Sequence, residues 1–150
     1  MGTITKNKEG LFNYEVLETF QAGIVLTGAE TKAVKSGQIS LKGSYVSINP
    51  QEEVWLVNCH ISAYKPAQGH QLNYDPIRKR KLLLHKQEIK SLLGKGKQKG
   101  LTIIPISVYT IKRLIKVDIA LARGKSKIDK RETIKKREAA REIKQIMKGR

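Results

Sequence analysis

From Phe12 to Phe20 the apolar side chains Phe12, Tyr14, Val16 and Phe20 fall on even positions, with Asn13, Glu15 and Thr19 between them. A period of two predicts a half-buried strand. Ala22-Gly23 interrupts it before Ile24-Val25-Leu26, and a glycine inside a strand pattern predicts a bulge or bend that lets a sheet curl. Residues 28–36 read as a short helix with Gly37 as the left-handed residue just past its end. Tyr45–Ile48 and Val54–Val57 read as a hairpin around Asn49-Pro50. Residues 58–81 read as irregular, punctuated by Pro66, Gly69 and Pro76, and they close on Arg78-Lys79-Arg80-Lys81. Leu82-Leu83-Leu84 follows. Ile89, Leu92 and Leu93 then share one face of a predicted helix, which ends among Gly94, Gly96 and Gly100, with Lys95, Lys97 and Lys99 at its fraying end. Residues 101–111 read as a strand whose Pro105 belongs at an edge or bulge, since proline has no N–H to donate. After a turn at Lys112-Arg113, Ile115, Val117, Ile119 and Leu121 alternate with Lys116, Asp118, Ala120 and Ala122. That is the clearest strand in the chain.

About six strands, a small helix early and a longer one later predict a mainly β fold, a closed or nearly closed antiparallel barrel. Closure would remove exposed edges. Residues 1–10 are polar and expected to be loose. The division expected is a barrel body over 1–122 and a basic tail over 123–150. The tail holds twelve Lys/Arg against four Asp/Glu. Its apolar stripe of Ala139, Ile143, Ile146 and Met147 is too narrow to seat a helix on a core. It is nevertheless rich in helix formers, and Asp129-Lys130-Arg131-Glu132 reads as an N-cap with an acid three residues on. Such a segment is expected to be disordered alone and to fold against a polyanion.

Charge then narrows the class. Thirty Lys+Arg against thirteen Asp+Glu leave +17 on 150 residues, a balance that points to phosphate-rich partners. No apolar run approaches the ~20 residues of a membrane span, and the first residues have no apolar signal core. A single Cys59 fits a reducing compartment, so a cytoplasmic location is expected. His60, His70 and His85 with Cys59 fit no zinc spacing, Gly94-Lys95-Gly96-Lys97 is not a phosphate loop, and the acids are spread singly. No cofactor, metal or catalysis is expected; a binding protein is. Arg78 to Lys81, extended by Lys86 and Lys90, and the tail are its basic clusters. Phe12, Tyr14, Tyr45 and Tyr74 offer stacking faces for unpaired bases, with Phe12 the best placed.

Nearly the whole chain, from about Asn7 to Met147, resembles the SmpB family, the SsrA-binding proteins that bind transfer-messenger RNA in bacterial ribosome rescue. The resemblance is carried by Asn7-Lys8, Tyr14-Glu15-Val16-Leu17-Glu18-Thr19-Phe20 with Ala22-Gly23-Ile24, and Thr27-Gly28-Ala29-Glu30-Thr31-Lys32. It continues through Arg80-Lys81-Leu82-Leu83-Leu84-His85-Lys86, Lys116-Val117, Ala120-Leu121-Ala122-Arg123-Gly124-Lys125 and Asp129-Lys130-Arg131-Glu132. It implies a mainly β body, an OB-fold-like closed antiparallel β-barrel with about three helices, that grips the tRNA-like domain of transfer-messenger RNA and stands where an anticodon arm would. The candidate RNA face is Asn7, Lys8, Phe12, Gln21, Gly23, Lys32, Arg78, Arg80, Lys81, Leu83, Lys116, Gly124 and Lys125. The candidate ribosome-binding tail is Asp129, Lys130, Arg131, Lys135, Lys136, Arg137, Ile143 and Met147, turning helical in the empty mRNA channel of the small subunit, next to the decoding centre. Implied partners are transfer-messenger RNA and the 70S ribosome, with elongation factor Tu and alanyl-tRNA synthetase indirectly; a monomer bound 1:1 to the RNA, with no membrane, is expected. Gln21 stands where the family usually has Glu, Thr31 replaces a β-branched aliphatic, and Arg123 and Ser126 stand where Lys is usual.

Overall fold

The computed structural model describes residues 2–64, 73–98 and 100–148, the side chains of 127–129 and 144–148 excepted. Pro66, Gly69, His70 and Lys99 lie outside the described residues. Within the described residues nine strands and four helices run in the order β1 (Gly2–Lys6), α1 (Lys8–Asn13), β2 (Tyr14–Ile24), α2 (Gly28–Lys35), β3 (Ile39–Ser40), β4 (Tyr45–Ile48), β5 (Val54–Val57), β6 (His60–Ile61), β7 (Arg80–Leu83), α3 (Lys86–Gly96), β8 (Leu101–Ile111), β9 (Leu114–Gly124) and α4 (Lys127–Lys148). Seven strands form one antiparallel sheet, β1-β8-β9-β2-β7-β5-β4, and β3 pairs with β6 beside it. β4 comes alongside β8, but no hydrogen-bonded ladder joins them among the described residues, so hydrogen bonds do not close the sheet into the predicted barrel. Part of the β8 edge that closure would use is already occupied: β1 pairs with Ser107–Thr110, and the Asn7 N–H donates to the Ile106 carbonyl at 2.7 Å.

The start of the chain is ordered rather than loose. Asn7 is the reason. Its Oδ1 accepts from the Gly10 N–H at 2.9 Å and caps α1, while its Nδ2 donates to the Pro105 carbonyl at 2.9 Å. A Cβ on Gly10 would sit 2.5 Å from Asn7 Nδ2, so the close approach requires glycine. Phe12 therefore lies on α1, not on a strand. Ala22-Gly23 does not break β2, which runs through to Ile24; the register shift falls between Val16 and Glu18.

Elsewhere local patterns and fold agree. Thr27 and Glu30 cap α2 reciprocally and Gly37 takes φ +81 beyond its end, as the helix stop needs. Lys112 and Arg113 both have positive φ, the two-residue turn whose twist suits a hairpin. A register shift in the β8–β9 ladder lies between Pro105 and Ser107. The core gathers Phe20, Leu41, Leu56, Ile61, Leu82, Leu92, Val108, Val117 and Ile119. β9 continues to Gly124, two residues past the expected body boundary, and α4 starts at Lys127, so Asp129 sits in its first turn rather than capping it.

Candidate nucleic-acid interface

The four-residue basic run divides between the inside and the outside of the molecule. Arg80 is fully buried, a correction to its placement on an RNA face. Its Nε and Nη2 donate to Glu30 Oε2 at 2.9 and 2.7 Å, and its Nη1 donates to the carbonyls of Cys59 and Pro76. Arg78 also pairs with Glu30, and Tyr74 Oη donates to the Ile61 carbonyl at 2.8 Å. A buried guanidinium without a carboxylate would be costly to desolvate, and Glu30, held in α2 by its capping box, supplies that carboxylate. Burial by itself would raise the Glu30 pKa, but Arg78, the Thr27 N–H and Arg80 outweigh it and bring it down from 4.5 to about 2. Burial pushes the Tyr74 phenol up to about 12 and the Cys59 thiol up to about 11. Neither is a nucleophile near neutral pH, and Tyr74 belongs to this clamp rather than to a stacking surface. Lys81 points outward and pairs with Glu53 at 3.3 Å.

On the outer face of the sheet the structure brings Gln21, Gly23, Leu83 and Lys116 together. They line a cleft of about 300 Å³ with Leu84, His85 and Glu88. The ladders explain the meeting: Gly23 pairs with Leu83 on β7 and with Lys116 on β9, and cross-strand partners share a face. Leu83 is 53% exposed although it sits in a strand. A Cβ on Gly23 would lie 3.4 Å from that of Leu83, so the glycine keeps the floor of the cleft open. An exposed apolar side chain beside an ammonium and an amide can contact a base, a phosphate and a base edge respectively. Three lining residues, Leu84, His85 and Glu88, are not on the predicted RNA face; the Glu88 carboxylate accepts from the His85 N–H at the start of α3.

A second group sits where α4 meets α1. The Arg137 guanidinium lies 5.5 Å from the centroid of the Phe12 ring, and Lys125 Nζ donates to Thr133 Oγ1 at 2.8 Å. Gly124 is exposed beside them, as are Arg131, Lys135 and Lys136 along α4, and Ile143 is 58% exposed. Lys130 is half-buried. Of Asp129 and Met147 only the helical backbone is described. Lys32 is exposed on α2 with its Nζ 5.8 Å from the Tyr64 ring centroid, and Lys8 borders a separate cleft with Lys6 and Lys42. Asn7 is buried and committed to capping α1, so it supports the interface from beneath. Among the described residues no group of three or more His, Cys, Asp or Glu side chains could hold a metal ion, and no helix is long and apolar enough to cross a membrane.

A cationic antiparallel body with an open polar cleft, and a basic helix projecting from one corner, defines a nucleic-acid-binding protein. The family profile described as SmpB protein matches residues 4–149, and the chain belongs to that family, one of RNA-binding proteins rather than enzymes. It is 50% identical over 146 residues to the SsrA-binding protein of Sulfurihydrogenibium sp. (strain YO3AOP1), covering 97% of this chain and 94% of that one. It is 47% identical over 146 residues to the SsrA-binding protein of Trichormus variabilis, covering 97% and 93%. A solved chain from "tmRNA-SmpB: a journey to the center of the bacterial ribosome" superimposes with a TM-score of 0.67 at 42% identity, covering 87% of this chain and 93% of that one.

Proposed function

We propose that this protein binds transfer-messenger RNA and acts with it in trans-translation on the ribosome, as an adaptor that makes and breaks no bond. The observation that carries the reading is a match along nearly the whole chain, at 42% identity, to a chain solved in a tmRNA-SmpB ribosome study. The cleft of Gln21, Gly23, Leu83 and Lys116 is one RNA-facing part of the body, and Lys8, Phe12, Lys32, Lys81, Gly124 and Lys125 extend the RNA contact elsewhere on its surface. Arg78 and Arg80 serve through Glu30, by tying the strand that carries Leu83 to α2. The body holds the tRNA-like domain and takes the place of an anticodon arm. Helix α4 enters the vacant mRNA channel, where twenty-two residues span about 33 Å and an exposed basic surface meets ribosomal phosphates. Elongation factor Tu and alanyl-tRNA synthetase act on the same RNA, one protein monomer accompanies each RNA, and the setting is the cytoplasm.

A gel shift at fixed salt comparing the tRNA-like domain of transfer-messenger RNA, an elongator tRNA and a random single strand tests this. Preferential retention of the first is the expected result. Equal retention of all three would point to general binding of RNA through charge and overturn the reading.

A further inference from the structure

Beside the cleft, three side chains on one sheet face form a line of hydrogen bonds. Gln21 Nε2 donates to Tyr109 Oη at 2.6 Å, and Tyr109 Oη donates to Asp118 Oδ1 at 2.7 Å. Gln21 and Asp118 are direct partners across β2 and β9, and Tyr109 is the partner of Lys116 two residues away, a diagonal that an aromatic side chain can reach. Proton counting sets the direction of both bonds. A phenol has one proton and a carboxylate only accepts, so at 2.7 Å the proton lies toward Asp118. The Gln21 atom facing the phenol oxygen must then be the NH₂. Its Oε1 has no hydrogen-bond partner among the described residues, and the side chain is exposed at the cleft.

We infer that Tyr109 and Asp118 are positioning residues that lock the Gln21 amide with its carbonyl oxygen turned outward, as an acceptor for an N–H or 2′-hydroxyl donor of the bound RNA. The inference rests on the RNA-binding reading above. Burial, reinforced by the Asp118 bond, moves the Tyr109 phenol above its ordinary range, so it remains a donor at neutral pH. A carboxylate at position 21 would break the line, because it would compete with Asp118 for one phenolic proton.

The test is the affinity of the full chain for the tRNA-like domain of transfer-messenger RNA, by filter binding at constant salt. Tyr109→Phe frees the amide to rotate and is expected to weaken binding about fivefold, the typical worth of one hydrogen bond. In a Gln21→Ala background the same change is expected to do nothing further. Gln21→Glu weakens binding, and adding Asp118→Asn restores it to within about twofold, because the phenol then donates to the carboxylate at position 21 and accepts from the amide at position 118. A general loss of structure would not be repaired by that exchange. Additive losses for Gln21→Ala and Tyr109→Phe, or no rescue of Gln21→Glu by Asp118→Asn, would overturn the positioning role while wild-type binding stands. Absence of wild-type binding to this RNA would overturn both readings.

Discussion

Replacing Glu30 by Ala removes the carboxylate at the centre of the buried clamp. Glu30 is 1% exposed and accepts from the Thr27 N–H, Arg78 and Arg80. The substitution leaves the Arg80 guanidinium fully buried, its remaining partners among the described residues being the Cys59 and Pro76 carbonyls and the Tyr74 hydroxyl. Stranding one member of a buried ion pair costs about 3–5 kcal/mol. At ~2–4 °C per kcal/mol for a chain of this size, Tm should fall by about 6–20 °C in differential scanning calorimetry, with a matching shift in the urea midpoint. Adding Arg80→Met to the Glu30→Ala variant removes the stranded charge and fills the space with an apolar side chain. It should recover part of the loss, leaving the cost of two unpaired carbonyls. A Tm drop under about 2 °C for Glu30→Ala, or a double variant no more stable than the single one, would refute the reasoning.

Acid should act on the same clamp. The folded Glu30 pKa of about 2 lies below its ordinary 4.5, so its stabilisation is complete above pH 4.5 and is lost as pH falls toward 2. The interval is worth ~3 kcal/mol, and urea melts across that window should show a steeper decline for the wild type than for Glu30→Ala; equal slopes would refute it. Lys116→Ala should weaken binding to the tRNA-like domain and flatten the plot of log affinity against log salt by about one phosphate contact; an unchanged slope would remove Lys116 from the phosphate-binding set. Ending the chain at Ser126 removes the Arg137–Phe12 and Lys125–Thr133 contacts, each worth about 1 kcal/mol or less. The body should keep its fold by circular dichroism and its RNA affinity within severalfold, while tagging of nascent chains on stalled ribosomes in a reconstituted assay is lost. A truncated chain that no longer binds the RNA would contradict the separation of body and tail.

Locally encoded features could be read from the chain as written. The alternation in β9, the glycine stop of α2, the β4–β5 hairpin, the bulge near Pro105 and the excess of cations depend on side chains a few residues apart. Pairings between distant segments could not be read this way. The two-residue strands β3 and β6 exist only because they pair with each other, and Phe12 was drawn off an apparent strand by a cap that Asn7 makes while bound to Pro105, 98 residues away. Arg78 to Lys81 has the same charge throughout its length, yet a carboxylate 50 residues from Arg80 turned that member inward. The Gln21–Tyr109 bond joins residues 88 apart. Charge, period and capping tendency belong to the covalent chain, whereas desolvation and the choice of hydrogen-bond partner are properties of the assembled fold. Those two quantities decide which cations brace the body and which are left to meet RNA.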